Sequence, residues 1–341
     1  MQLVFQGLSQ DEGESVRGIY LEFGGDNLIG TDEFLYAADG RVICFDWEGN
    51  IIWETPNLGS GGIVSLGDAF FVTTYDSSQE KHGVALLNLE GQILWQKETK
   101  RILSAGIGAS QNLLAAGSHG GTLWGFSKTG DILWTYNNYA SIEQVVVAPD
   151  SSCVVFTDFN DDIKCVRDGE LVWSKNVGSI YTGGHNRTVA FSPDSSYVVY
   201  RMEKNGSHIT ASTLKGGELW SAPLESALRS VAITDDGQHI IAGCSKYVYN
   251  FTSKGDLVWE TRVSADNKYV AVTPGADYIA VGSVSPFSKL IVLNKDGEAL
   301  WNASSSDNIS AVAISPDGKH ATFSNKLRQL YLFENPPQLR E

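Results

Sequence analysis

Three cations stand at one offset in this sequence. Arg187 in RTV, Arg229 in RSV and Lys268 in KYV each lie two residues before the valine of a β-branched run. The chain has 40 acidic and 25 basic residues, a formal net charge of −15, so an arc of fixed positive charge would focus field on an anion such as a carboxylate or an acidic peptide. Other residue types with chemical potential read more plainly. DFNDD, Asp158 to Asp162, spaces oxygen ligands as a hard cation prefers, yet it lacks the glycine and the distant glutamate of a calcium loop and reads as a turn. The histidines His82, His119, His185, His208, His239 and His320 have no HxH or HExxH spacing, so no metal centre is expected. Cys44, Cys153, Cys165 and Cys244 sit in apolar runs as small reduced core residues. A turn centred near Asn160 pairs Cys165 with Val155 and leaves the Cys153 and Cys165 sulfurs apart. No GxSxG elbow occurs, and no serine or cysteine has a motif-placed histidine. No catalytic residue and no cofactor are expected.

The elements that must position these residues come from an internal repeat. Gly-x-x-x-Trp occurs seven times, ending at Trp53, Trp95, Trp134, Trp173, Trp220, Trp259 and Trp301, with spacings of 42, 39, 39, 47, 39 and 42 residues. Ahead of each glycine lies a hairpin pattern such as VAFSPDSSYVVY (Val189 to Tyr200) or VAISPDGKHATF (Val312 to Phe323), whose Pro-Asp turns are of type I. A third apolar run follows, such as YVYNF (Tyr247 to Phe251), and the Gly-x-x-x-Trp run makes a fourth strand. Alternation prevails over helical spacing throughout. Four short strands per ~40 residues is the unit of a β-propeller blade, whose apolar faces are covered only by stacking around an axis.

Each tryptophan is expected to plug the widening wedge between neighbouring blades. Burying ~150–250 Å² per ring is worth roughly 4–6 kcal/mol as an upper value. The glycine permits the turn into the fourth strand, where positive φ is wanted. Hairpin patterns begin near Asn27, Gly62, Leu103, Glu143, Arg187, Arg229, Lys268 and Ser310, and the last has no Gly-x-x-x-Trp strand after it. RGIYLEF (Arg17 to Phe23) is a spare strand at the other end of the chain and is expected to complete the last blade. The architecture is therefore all-β, an eight-bladed propeller of four-stranded antiparallel blades closed by an N-terminal strand, with seven blades as the alternative. Residues 1–16 and 336–341 read as tails around a single domain, 17–335. Equivalent repeat positions lie on one ring, so Arg187, Arg229 and Lys268 are expected around the channel mouth.

FDWEGNIIW (Phe45 to Trp53) resembles the tryptophan-docking repeat of quinoprotein-type, PQQ-like propellers, and VAISPDGK (Val312 to Lys319) is similar to the inner strands of WD-repeat proteins. The resemblance runs from about Arg17 to Asn335 and implies a propeller. It implies function less directly, because that group hosts dehydrogenases, assembly scaffolds and an eight-bladed outer-membrane assembly scaffold with no enzymatic role. Its dehydrogenases use a calcium-bound quinone, a catalytic aspartate and often adjacent cysteines; this chain has no adjacent cysteines.

The acidic balance excludes a binder of phosphate backbones, which needs a concentrated basic face. No run approaches the ~18 apolar residues of a membrane span. MQLVFQGLSQDEGE has no basic n-region and no apolar core of useful length. A cytoplasmic location is expected, or an extracellular one if a signal has been removed. The functional expectation is a non-enzymatic scaffold for a protein or peptide partner, with an anionic ligand at Arg187, Arg229 and Lys268. The alternatives are a quinone- or metal-dependent oxidoreductase and a cell-surface adhesion or glycan-binding domain.

Overall fold

The computed structural model describes residues 2–8, 20–23, 33–38, 41–46, 50–56, 58, 62–66, 69–76, 81–108, 110, 112–178, 187–263, 267–284, 288–326 and 329–335. Among these are 32 strands and no helix, arranged as eight four-stranded sheets. Seven sheets are simple meanders of consecutive strands, from innermost to outermost. The innermost strands of blades one to eight are Tyr20–Phe23, Gly62–Leu66, Ile102–Ile107, Ile142–Val147, Val189–Phe191, Leu228–Ile233, Asn267–Val272 and Ile309–Ile314. Each packs against the next, and the eighth packs against the first, so the ring is closed. The seven-bladed alternative is thereby excluded.

The repeated turn chemistry explains why each segment adopts this form. Between first and second strands a hydroxyl caps the backbone: Ser192 Oγ accepts from the Tyr197 amide at 3.0 Å, Thr234 Oγ1 from His239 at 3.0 Å and Ser315 Oγ from His320 at 2.9 Å. Between third and fourth strands a short polar side chain accepts from the amide four residues on. Asn88 to Gln92 (2.8 Å), Ser127 to Asp131 (3.0 Å) and Asn294 to Glu298 (2.8 Å) repeat that bond. Such side-chain caps satisfy turn amides that the ladder leaves open.

The tryptophans act between blades. Trp95, Trp173, Trp220 and Trp259 each donate Nε1–H to a carbonyl of the following blade, at Lys128 (2.8 Å), Leu214 (3.2 Å), Ser253 (3.0 Å) and Lys295 (2.7 Å). In each case the acceptor lies two residues before the repeat glycine, and the indole lies flat against that glycine. At Gly255, φ is +87° and an added methyl would stand 2.5 Å from the Trp220 ring. The glycine therefore provides both the turn and the floor on which the neighbour's ring rests. Trp173 is buried, whereas the other six rings keep one edge partly exposed. Where blade eight has no such glycine, Trp301 Nε1 donates to Asn335 Oδ1 at 2.6 Å, and Asn335 is wholly buried.

Closure follows the expected principle with a different strand. Gln2–Leu8 pairs antiparallel with Gln329–Glu334 and is the outer strand of blade eight. Its Phe5 stands opposite Leu332, with a bulge beside it, the register that Trp301 occupies opposite Val292 in blade seven. Residues 17–23 do not close the ring: Tyr20–Phe23 pairs with Glu33–Ala38 and forms the innermost strand of blade one. The reason is a strand count. Glu33–Ala38, Arg41–Asp46 and Ile51–Thr55 supply only three strands to blade one, so the nearest upstream run completes it. Residues 1–16 are thus not a tail along their whole length, because Gln2–Leu8 is a strand; 336–341 lie outside the described residues.

Deleting residues 1–8 is expected to leave blade eight three-stranded and to lower the thermal midpoint by on the order of 10 °C, equivalent to about 3–5 kcal/mol. Differential scanning calorimetry checks this; an unchanged midpoint would contradict closure by that strand. Trp173→Ala should cost about 3–5 kcal/mol in chemical denaturation, and Trp134→Ala less, since its ring is only partly covered.

Candidate functional site

The innermost strands form a closed ring, and one backbone feature recurs near the start of most of them. In blades three, four, six, seven and eight the register between first and second strands shifts by one residue near the start. The residues skipped are Leu103, Glu143, Arg229, Lys268 and Ser310, which have no opposite number on the second strand. A bulge of this kind re-aims the extra residue and tightens the local twist. The offset seen in the sequence, two residues before a valine, is therefore the bulge position.

Arg187 holds the matching position in blade five, just before its first strand. It is exposed, forms an isolated parallel bridge with Ser230, and its carbonyl accepts from the Val231 amide at 2.8 Å. That bridge ties Arg187 to the strand carrying Arg229, which is half-buried. Lys268 stands at the same register in the next blade. The three residues thus occupy one repeat position in three successive blades.

The sequence reading missed charged neighbours that come from second strands. Arg201, buried at the end of blade five's second strand, bonds Glu203 through Nε at 2.7 Å, and Glu203 accepts from Ser207 Oγ at 2.8 Å. The charges of Arg201, Arg229 and Glu203 all act on the buried Cys244 thiol, whose pKa burial pushes up. On the other side, Glu143 is pushed up to about 7 by burial; Arg201 pulls it back and Asp161 raises it further. No repeat pattern marks Arg201 or Glu203. The second strand, Tyr197–Met202, is six residues long like those of blades six to eight, so its length carries no signal of the charge there.

The remaining candidates resolve into structure. Asp158 is wholly buried, accepts from the Asn160 and Asp162 amides at 2.9 and 3.2 Å, and pairs with Lys164 Nζ at 2.7 Å. The Lys164 ammonium thus takes the position a bound cation would need, and DFNDD is a turn. Cys165 pairs with Val155 as expected, and the two buried thiols act on each other's ionisation, lowering the pKa of Cys153 and raising that of Cys165. Both are free, buried thiols. His82 stacks on Tyr75 at 4.6 Å, and His239 Nδ1 bonds the Asn250 side-chain amide. Asn250 opens an Asn-Phe-Thr sequon but is 1 % exposed, which removes it as a glycan acceptor in the folded chain. His185 lies outside the described residues. Among the described residues no three His, Cys, Asp or Glu side chains converge. The cysteines are not vicinal, and Arg187 and Arg229 add positive charge at the start of the innermost strands of blades five and six. These residues do not fit a calcium–quinone pair.

Comparison with known proteins places this geometry. A repeat family described as outer membrane protein assembly factor BamB matches residues 80–161 and 160–321. No curated protein matches the chain. Among solved structures, BamB from Moraxella catarrhalis superposes with a TM-score of 0.65 at 16 % identity, covering 94 % of this chain and 100 % of that one. The computationally designed Ika8 protein superposes with a TM-score of 0.72 at 14 % identity, covering 95 % and 98 %. At these identities the structural likeness is one of fold.

Glu143 binds its proton more readily in the folded chain, at about 7, than at the ordinary 4.5. Its contribution to stability is therefore full below about 4.5 and is lost as pH rises through 7. Relative to wild type, Glu143→Gln should gain about 1–2 kcal/mol between pH 4 and pH 8, a figure discounted for solvent screening of a partly covered group. Urea denaturation across that range tests it; a pH-independent difference would refute the assignment.

Proposed function

We propose, because the chain belongs to the family of outer membrane protein assembly factor BamB, that it is a non-enzymatic propeller scaffold that binds a protein or peptide partner. The partner presents carboxylates to the channel mouth, where Arg187, Arg229 and Lys268 receive them. The single observation that carries this reading is their shared position: one ring register on three successive blades of a chain whose net charge is −15. Field of one sign concentrated on such an arc attracts an acidic segment while the remaining surface repels it.

The buried Arg201–Glu203 pair supports the arc rather than competing with it. Because Arg201 is already bonded to Glu203, it anchors the wall beside Arg229. The neighbouring Glu143 opposes an acidic ligand when ionised and stops opposing it when protonated. A scaffold of this family acts in assembly at the outer membrane, so of the two compartments the exported one accords with this reading.

An acidic hexapeptide labelled for fluorescence anisotropy is the probe. Wild type should bind it with an affinity that falls steeply with salt. Arg187→Glu combined with Arg229→Gln should weaken binding by at least about 10-fold while the thermal midpoint holds, about 1.4 kcal/mol or more of coupling. Equal affinity in that variant would end the proposal. Wild-type affinity should also rise as pH falls through 7, and Glu143→Gln should abolish that rise.

A further inference from the structure

The outer flank between blades four and five holds a cation of a different kind. Two residues after the docking tryptophan, blade six carries Thr261, whose hydroxyl donates to the carbonyl of its docking glycine, Gly297, at 2.7 Å. Blade one does the same with Thr55 and Gly91. Blade four instead carries Lys175 at this position. Its Nζ donates to Tyr200 Oη at 3.2 Å and to Ser212 Oγ at 3.0 Å, both in blade five, and these two oxygens lie 2.9 Å from each other. The ammonium stands 5.8 Å from the ring centroids of Trp173 and Tyr200. Tyr200 and Ser212 are 1 % and 0 % exposed, while Lys175 is partly exposed.

A count of hydrogens shows what this triangle lacks. The ammonium brings three N–H donors and the hydroxyls bring two O–H donors, against two oxygens able to accept. Two N–H groups are used on the oxygens, and one O–H is used between them. One N–H and one O–H then have no acceptor among the described residues. The charge is also uncompensated: among those residues no carboxylate lies within ion-pair distance of Lys175. Charges held in such surroundings are normally paired, because desolvation penalises an isolated one. Aromatic faces offset part of that cost but accept no hydrogen bond of the strength missing here. Water could take up the donors; it would leave the charge unbalanced.

We infer that Lys175, Tyr200 and Ser212 form a binding site for a small oxyanion, a carboxylate or a phosphate, between blades four and five. The oxyanion accepts from the spare N–H of Lys175, the partly exposed member, and supplies the missing negative charge, while the two buried hydroxyls hold the ammonium in place. Because Lys175 belongs to the outer strand and is only partly covered, the ligand enters from the flank rather than through the channel. The site is independent of the mouth arc and of the function proposed for it.

Inorganic phosphate and acetate are the probes, each titrated at constant ionic strength against chloride, with the thermal midpoint and calorimetric heat as readouts. Wild type should show a saturable rise in midpoint with phosphate or acetate, with a Kd on the order of 1–10 mM. Lys175→Met keeps the aliphatic stem against Trp173 and should weaken that Kd by more than 10-fold; Lys175→Gln is the second variant should Lys175→Met not fold. Tyr200→Phe should weaken it several-fold. The Arg187→Glu, Arg229→Gln variant should respond as wild type does, which separates this site from the mouth. A wild-type response no greater than that of chloride would overturn the inference, as would an unchanged response in the lysine variant or a response lost only with the mouth arginines.

Discussion

Everything in this molecule depends on an indole ring laid against the backbone of the next blade. A four-stranded sheet has two apolar faces and cannot cover either by itself. Neighbouring sheets diverge toward the rim, so contact between their outer strands needs a side chain large enough to span the gap. Tryptophan spans it, and the repeat glycine lets it come close: any β-carbon at Gly255 would stand inside the Trp220 ring's contact distance. The indole N–H then fixes the angle by bonding a carbonyl two residues before that glycine. Motif residues that look local in the sequence therefore act in pairs across blades, Trp from one and Gly from the next.

This explains how the polar groups are arranged. Many of the described turns between strands are nearly self-sufficient, capped by their own serine, threonine, asparagine or aspartate. Sheet-to-sheet adhesion is consequently left to apolar packing and indole bonds, and the inner ring is free to carry charge. The bulge at the start of the innermost strands is the point where backbone pairing is relaxed, and it is there that Glu143, Arg229 and Lys268 occur.

Much of this was legible in the residues. Seven Gly-x-x-x-Trp runs specify the period, the strand count per blade and the wedge role of the ring. The offset of Arg187, Arg229 and Lys268 from a valine is enough to place them at one register. What could not be read was whatever lacked the motif. Gln2–Leu8 has phenylalanine at the tryptophan register and no repeat glycine, so the pattern passed over it and settled on Arg17–Phe23 instead. Arg201 with Glu203, and Lys175 with Tyr200 and Ser212, depend on contacts between blades or on residues particular to one blade. Periodicity averages such features away.

The pairing of Gln2–Leu8 with Gln329–Glu334 also dictates an order of events. Gln2–Leu8, made before every other described strand, is among the last to find its place, since its partner is the last of those strands to be made. Until then seven blades can form in turn while that leading segment waits without a hydrogen-bonding neighbour. The circle is thus latched by a contact of more than 300 residues' separation, a slow step by its nature. Once formed, it opposes opening of the ring, because blades one and eight are then held through each other's stretch of chain.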